Sequence, residues 1–268
     1  MILNELGQTD IKVSPLGLGT VKFGRDQQVK YPWSFNIPDD QGVLELLSIS
    51  RELGINLLDT APAYGNSEER LGKLLTQRHD WVIVSKVGES FEQGQSRFDF
   101  SATGTQKTIE NSLRKLKTDY LDVVLVHSDG DDQKIIEQED VLVTLQKLKQ
   151  QGYIRAIGLS TKTTDGGLWT VEHTDVVMAT RNSSDHTDDA VLDRALQLNK
   201  GVVIKKGLQS GHADSKAGGG GIEQAIEYVF SHAAVSCLIA GTINSKHLRQ
   251  NAQLIEQIRA NASLHFQV

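Results

Sequence analysis

Short apolar runs that end on a polar or charged side chain alternate, along this chain of 268 residues, with amphipathic stretches of helical length. The sharpest run is Asn56-Leu57-Leu58-Asp59, interrupted by Pro62 and followed by Tyr64 and Gly65. It predicts a short buried strand that carries Asp59 to its end and leaves Tyr64 on a loop at the rim of a sheet. Two later runs close in the same manner, Trp81 to Ser85 at Lys86 and Leu121 to Val126 at His127. A helix-length segment separates each run from the next, so a parallel sheet would gather Asp59, Tyr64, Lys86 and His127 at one edge.

The rest of the chain keeps that rhythm. Ile2-Leu3 and Val13 flank Gly7-Gln8-Thr9-Asp10 and predict a hairpin. Leu16 to Thr20 is a glycine-bearing strand, followed from Val21 to Asp40 by a polar and aromatic stretch holding Trp33 and Phe35, long enough to suggest a function of its own. Asp39-Asp40 cap a helix to about Gly54. Further helices are predicted over Ser67–Leu75, Ala102–Leu116, Gln138–Gln151, Asp165–Val171, Asp188–Leu198, Gly221–Ser231 and from Ser245 to about Ala260. Strands fall over Val82–Lys86, Tyr120–His127, Arg155–Ser160, Asp175–Thr180, Val202–Lys205 and Val235–Gly241.

Counted from Leu16, eight strands alternate with eight helices. Apolar strands without polar alternation suit a parallel sheet buried on both faces, and eight units predict a closed (β/α)8 TIM barrel, a fold of about 250 residues whose chemistry sits at the C-terminal ends of its strands. An open doubly wound sheet is the rival. Its G-x-G-x-x-G fingerprint fails, because Gly17-Leu18-Gly19 is followed by Thr20, Val21 and Lys22. No Pro- or Ser-rich linker divides the chain, which reads as one domain over residues 1–268.

Composition narrows the function. Hydrophobic residues make up 38% of the chain, enough for a sizeable core. The net charge of −6 is scattered, which argues against nucleic acid as a partner. The single cysteine, Cys237, sits in an apolar run and reads as a small core residue, so no internal disulfide forms. No apolar run approaches 18 residues and the first residues lack a signal peptide, so no membrane partner and a cytoplasmic, monomeric protein are expected. The eight histidines show no metal-binding spacing, so no metal is expected.

At this point the residues carry a resemblance. Leu16-Gly-Leu-Gly-Thr20, the segment Leu57 to Gly72 reading LLDTAPAYGNSEERLG, Ser85-Lys86, Tyr120 to His127, Ile157-Gly-Leu-Ser160 and Ala240 to Asn251 together resemble the aldo-keto reductases, in family order over nearly the whole chain. The resemblance implies a nicotinamide cofactor bound in extended form without a Rossmann domain, and reduction of a carbonyl.

The chemistry can be argued from the residues as well. A hydride delivered to a carbonyl carbon builds negative charge on its oxygen, which calls for a nearby proton donor. Tyr64 is the candidate general acid. Its phenol has an ordinary pKa of about 10 and donates better with a cation beside it. Lys86 supplies that cation, Asp59 pairs with Lys86, and His127 orients the substrate oxygen or shares the proton.

The resemblance also assigns cofactor contacts. Ser160 ends the fifth strand where the family has a Ser-Asn pair for the nicotinamide carboxamide, with Thr161 in place of Asn. The family glutamine maps to Met178, and the family's ring-stacking tyrosine maps to Arg181, whose charge either lies on the ring, opposing the oxidised cation, or turns away to solvent or to Asp185. Lys205-Lys206-Gly207-Leu208 offers a loop for a pyrophosphate. Gly241, Thr242, Asn244, Ser245 and His247 open the last helix where the family holds the adenosine 2′-phosphate, with Lys246 and Arg249 as nearby cations and Asn251 on the adenine. Gly19 and Thr20 complete the set. NADP is expected over NAD.

Three further expectations follow. Trp33, Phe35 or Phe23, and Trp81 if its strand is shorter, wall the substrate pocket. Asp129-Gly-Asp-Asp132 is a solvated turn and Gly218 to Gly221 a flexible loop or spacer. The alternative functions are a cofactor-sensing regulatory module, motivated by Met178 and Arg181, and a cofactor-free isomerase or lyase.

Overall fold

The computed structural model of the chain describes residues 1–29, 31–209, 211 and 221–265. Eight parallel strands close into a barrel: β3 (Leu16–Gly19), β4 (Leu57–Asp59), β5 (Val82–Val87), β8 (Leu121–His127), β9 (Ile154–Ser160), β10 (Val176–Thr180), β11 (Gly201–Lys205) and β12 (Cys237–Ala240), with β12 pairing back onto β3. Two antiparallel hairpins lie outside the barrel, β1 (Asn4–Glu5) with β2 (Lys12–Val13) and β6 (Glu89–Glu92) with β7 (Gln95–Phe98). Around the barrel run α1 (Asp40–Glu52), α2 (Ser67–Leu74), α3 (Ala102–Leu116), α4 (Asp132–Gln138), α5 (Val141–Gln150), α6 (Thr164–His173), α7 (Asp189–Gln197), α8 (Gly221–Phe230) and α9 (Ser245–His265). No described helix is long and apolar enough to cross a membrane.

Successive strand residues point to opposite faces, and two apolar clusters divide between them accordingly. Leu57, Val84, Val123, Leu125, Val176, Met178, Val203 and Cys237 pack with Leu6, Ile11 and Val13 of the first hairpin, which stoppers one end of the barrel. Leu58, Ile83, Val124, Val126, Ile157, Val202 and Ile204 pack with the helices. The same parity continues to the strand ends: Asp59, Lys86, His127, Ser160 and Lys205 follow Leu57, Val84, Leu125, Gly158 and Val203 two residues on, so all five share the inward face, at the mouth opposite the stopper.

Some expectations need correction. The helix expected from Gln138 starts at Val141, and the segment before it is a separate helix, α4. Asp132 is not solvated: it is fully buried, and its Oδ2 accepts from Lys162 N, Thr163 N and Thr163 Oγ1. Hairpin β6–β7 was not expected, because its polar residues hide the alternation of a strand. Of the glycine run, only Gly221 lies within the described residues, at the start of α8.

Candidate active site

Asp59, Tyr64, Lys86 and His127 meet at one side of the barrel mouth. Lys86 is 2% exposed, and its ammonium donates to Asp59 Oδ1 at 2.5 Å and to Thr60 O at 2.9 Å. The same Nζ lies 4.8 Å from the centre of the Tyr64 ring. The Tyr64 and His127 rings meet edge to face with centroids 6.4 Å apart. Burial comes first in pushing the Tyr64 phenol well above its ordinary pKa, and the Asp59 and Glu89 carboxylates add to it while the Arg25 guanidinium opposes them. The charge of Lys86 is largely spent on Asp59, so the phenol stands as a firmly protonated donor rather than an acidified one.

The loop that carries Tyr64 is fixed by local chemistry. Gly65 adopts φ +63°, and a Cβ there would lie 2.0 Å from Gly24 O, so the chain can turn this closely only at glycine. Ser67 Oγ joins Thr20 Oγ1 at 2.7 Å and Thr60 Oγ1 at 3.0 Å, and Thr20 Oγ1 donates to Asp59 O. Thr20 is thus fully buried in a clasp of hydroxyls and does not reach the cavity.

Hairpin β6–β7 brings a residue that the motif reading missed. Glu89 Oε2 lies 2.7 Å from His127 Nδ1, off the line of the N–H bond, while Glu89 Oε1 accepts from Ser96 Oγ at 2.6 Å and faces Arg25 Nη1 at 3.7 Å. Burial works against the Glu89 charge, but His127, Ser96 and Arg25 together hold its carboxyl down to about 2. His127 is lowered, first by burial, with Lys86 and Lys205 adding to it and Glu89 opposing. Polar residues just past the end of β5 were the available signal.

An open cavity of about 460 Å³ runs from Asp59 and Tyr64 past Gly19, Lys205 and Lys206 to Gly241, Thr242, Asn244, His247 and Asn251 at the start of α9. Leu208 lines it as well. Gly207 does not: it is buried against Leu238, Val229 and Ile204. Ser245 opens α9, whose first backbone donors Lys246 N and His247 N are taken by Asn244 Oδ1. Arg249 forks onto Glu52 at 2.9 and 2.8 Å and is not a spare cation for a phosphate. Trp33 and Phe35 wall the cavity as expected, joined by Lys22 and Tyr31. Phe23 is fully buried core, and the buried Trp81 directly precedes β5 at the stoppered end, so neither is a wall.

The carboxamide contacts also differ from expectation. Lys205 Nζ donates to Ser160 Oγ at 2.9 Å and to Thr161 O at 2.6 Å, so it is not poised over a pyrophosphate loop. Met178 belongs to the inner apolar cluster, one layer below the mouth. Arg181 follows Thr180, the inward residue, and therefore takes the other face. It pairs with Asp189, not Asp185, donates to Ser231 Oγ and Tyr228 O, and stacks over the Tyr228 ring at 4.3 Å. Parity, not the motif, decides its direction.

The donor set fits an elongated dinucleotide. Backbone at Gly19 and Gly241 and the Lys206 cation can receive polar and anionic groups, and Asn251 Oδ1, buried in the cavity wall, has no partner among the described residues. Residues 15–180 match the model of the aldo/keto reductase family. L-galactose dehydrogenase of Arabidopsis thaliana is 37% identical over 59% of this chain and 48% of its own length. NADH-specific methylglyoxal reductase of Escherichia coli is 32% identical over 57% of this chain and 50% of its own. The chain spans about half the length of these curated relatives. A crystal structure of a putative aldo-keto reductase from Pseudomonas aeruginosa, 47% identical, covers 96% of both chains with a TM-score of 0.87.

Proposed function

This chain belongs to the aldo/keto reductase family, and from that premise we propose that it reduces a small aldehyde or ketone to the alcohol with a nicotinamide cofactor, NADPH in preference to NADH. One observation carries the reading: a single cavity joins Tyr64 and Asp59 to the start of α9. A molecule with a reacting ring at one end and an anionic, adenine-bearing end at the other matches that span.

In this mechanism Tyr64 gives its phenolic proton to the carbonyl oxygen as negative charge develops there. Lys86 fixes the ring from 4.8 Å, and Asp59 holds the ammonium in place. His127, oriented by Glu89, holds the substrate oxygen against Tyr64. Bound reduced nicotinamide supplies the hydride. The preference for NADPH rests on His247 in the cavity wall and on Lys246 beside it, since Arg249 is committed to Glu52.

The regulatory reading loses its motive, because Arg181 and Met178 stay out of the cavity. The test is oxidation of NADPH, followed by absorbance, against a panel of aldehydes. Tyr64→Phe is expected to lower the rate by 10²-fold or more while NADPH binding persists. Equal rates in the two proteins would end the assignment.

A further inference from the structure

We propose that Lys205 sets which oxidation state of the nicotinamide this pocket prefers, its ammonium disfavouring the cationic oxidised ring relative to the neutral reduced one. The inference rests on the reductase reading above and goes beyond it to a residue with no part in the proton transfer.

Geometry puts Lys205 with the reacting end of the cavity. Its side chain takes the inward parity at the end of β11 and lines the same cavity as Tyr64. Its Nζ is bonded to Ser160 Oγ, and Ser160 is the register partner of His127 across β8 and β9. His127 in turn abuts Tyr64, next to which the ring must lie for hydride and proton to reach adjacent atoms.

The charge of Lys205 is not cancelled as that of Lys86 is. Its hydrogen-bond partners among the described residues are a hydroxyl and a carbonyl, Ser160 Oγ and Thr161 O. The carboxylates that act on it do so from a distance. Asp188 Oδ2 accepts from Thr180 N, and Asp132 Oδ2 is taken by Lys162 and Thr163. Lys206 and Lys162 oppose the charge, and His127 faces it across the mouth. Burial above all, with Lys206 next, lowers the Lys205 pKa to about 7. Below pH 7 the pocket therefore carries an extra positive charge next to the ring, and above it that charge is withdrawn. An oxidised ring is penalised at pH 6 and released at pH 8.5, while a reduced ring is indifferent.

The experiment is the ratio of dissociation constants, Kd for NADP⁺ over Kd for NADPH, by fluorescence titration and competition at pH 6 and 8.5. The phosphates are common to both forms, so their own titration cancels. In the wild type the ratio is expected to fall about tenfold from pH 6 to 8.5, within what a unit charge within ~8 Å supplies at an effective dielectric of ~20. Lys205→Met should give the low ratio at both pH values, and Lys205→Arg, whose charge persists, the high one. A ratio at pH 6 that Lys205→Met leaves at the wild-type value overturns the proposal. So does equal weakening of both forms in Lys205→Met, the signature of a pyrophosphate contact. If the wild type binds neither form, the reductase reading itself falls.

Discussion

The two walls of the barrel mouth hold a lysine each, one buried and one half-buried, and treat it in opposite ways. On the β4 and β5 wall, Lys86 faces Asp59 at 2.5 Å, and Glu89 answers His127 and Arg25 nearby. On the β9 and β11 wall, Lys205 has only a hydroxyl and a backbone carbonyl within hydrogen-bond reach among the described residues. A neutralised wall can fix a proton donor without perturbing what binds beside it. A charged wall discriminates among ligands by their charge, and it can be switched by pH.

The comparison breaks most visibly when each lysine is removed. Lys86→Met leaves the Asp59 carboxylate buried without its cation, and unfolding in urea should show a loss of about 3–5 kcal/mol, with activity lost as well. Lys205→Met removes a half-buried charge that no carboxylate bonds, so its stability should stay within about 1 kcal/mol of the wild type or rise. A comparable loss in both variants would erase the distinction between the walls.

The acid stability of the first wall sharpens it. The Glu89 carboxyl drops from 4.5 to about 2 on folding, so its stabilisation is complete above pH 4.5 and is lost as the pH falls toward 2. The lowered His127 acts in the same direction from about 6.5 downward, because the unfolded chain takes up a proton first. Urea melts at pH 6 and pH 3 should differ less in Glu89→Gln than in the wild type, by about 2 kcal/mol.

A backbone change tests the same wall from its loop. Gly65→Ala forces a Cβ toward Gly24 O at positive φ, and a loss of about 1–3 kcal/mol in thermal or urea unfolding is expected, with a lower kcat as Tyr64 is displaced. The smallest effect concerns Arg181. Its charge belongs to α7 and α8, so Arg181→Gln should leave the Kd for NADP⁺ unchanged while lowering the melting temperature by a few degrees. A tighter Kd would return Arg181 to the ring.

Much of the fold could be read in the chain. The eight apolar runs match the barrel strands to within two residues, and α3 has the bounds its pattern predicts. The meeting of Asp59, Tyr64, Lys86 and His127 followed from strand ends alone, since parallel strands of a barrel must converge there. Glu89 was hidden because a polar hairpin carries no hydrophobic period, and Asp132 because a turn-like string of aspartates does not announce burial. Motif matching misjudged Met178, Arg181 and Lys205, whereas counting in twos from Val176 and Val203 would have sent the first into the core, the second outward and the third into the mouth.

By itself, then, the order of residues determined the strand and helix periods, the number of repeating units and which side chains end each strand, because these depend on neighbours within a few positions. Tertiary structure alone decided which ammonium received a carboxylate and which did not. Lys86 meets Asp59 across 27 positions and Lys205 meets Ser160 across 45, and the electrostatic character of each follows from what closure of the barrel sets within about 3 Å of its nitrogen.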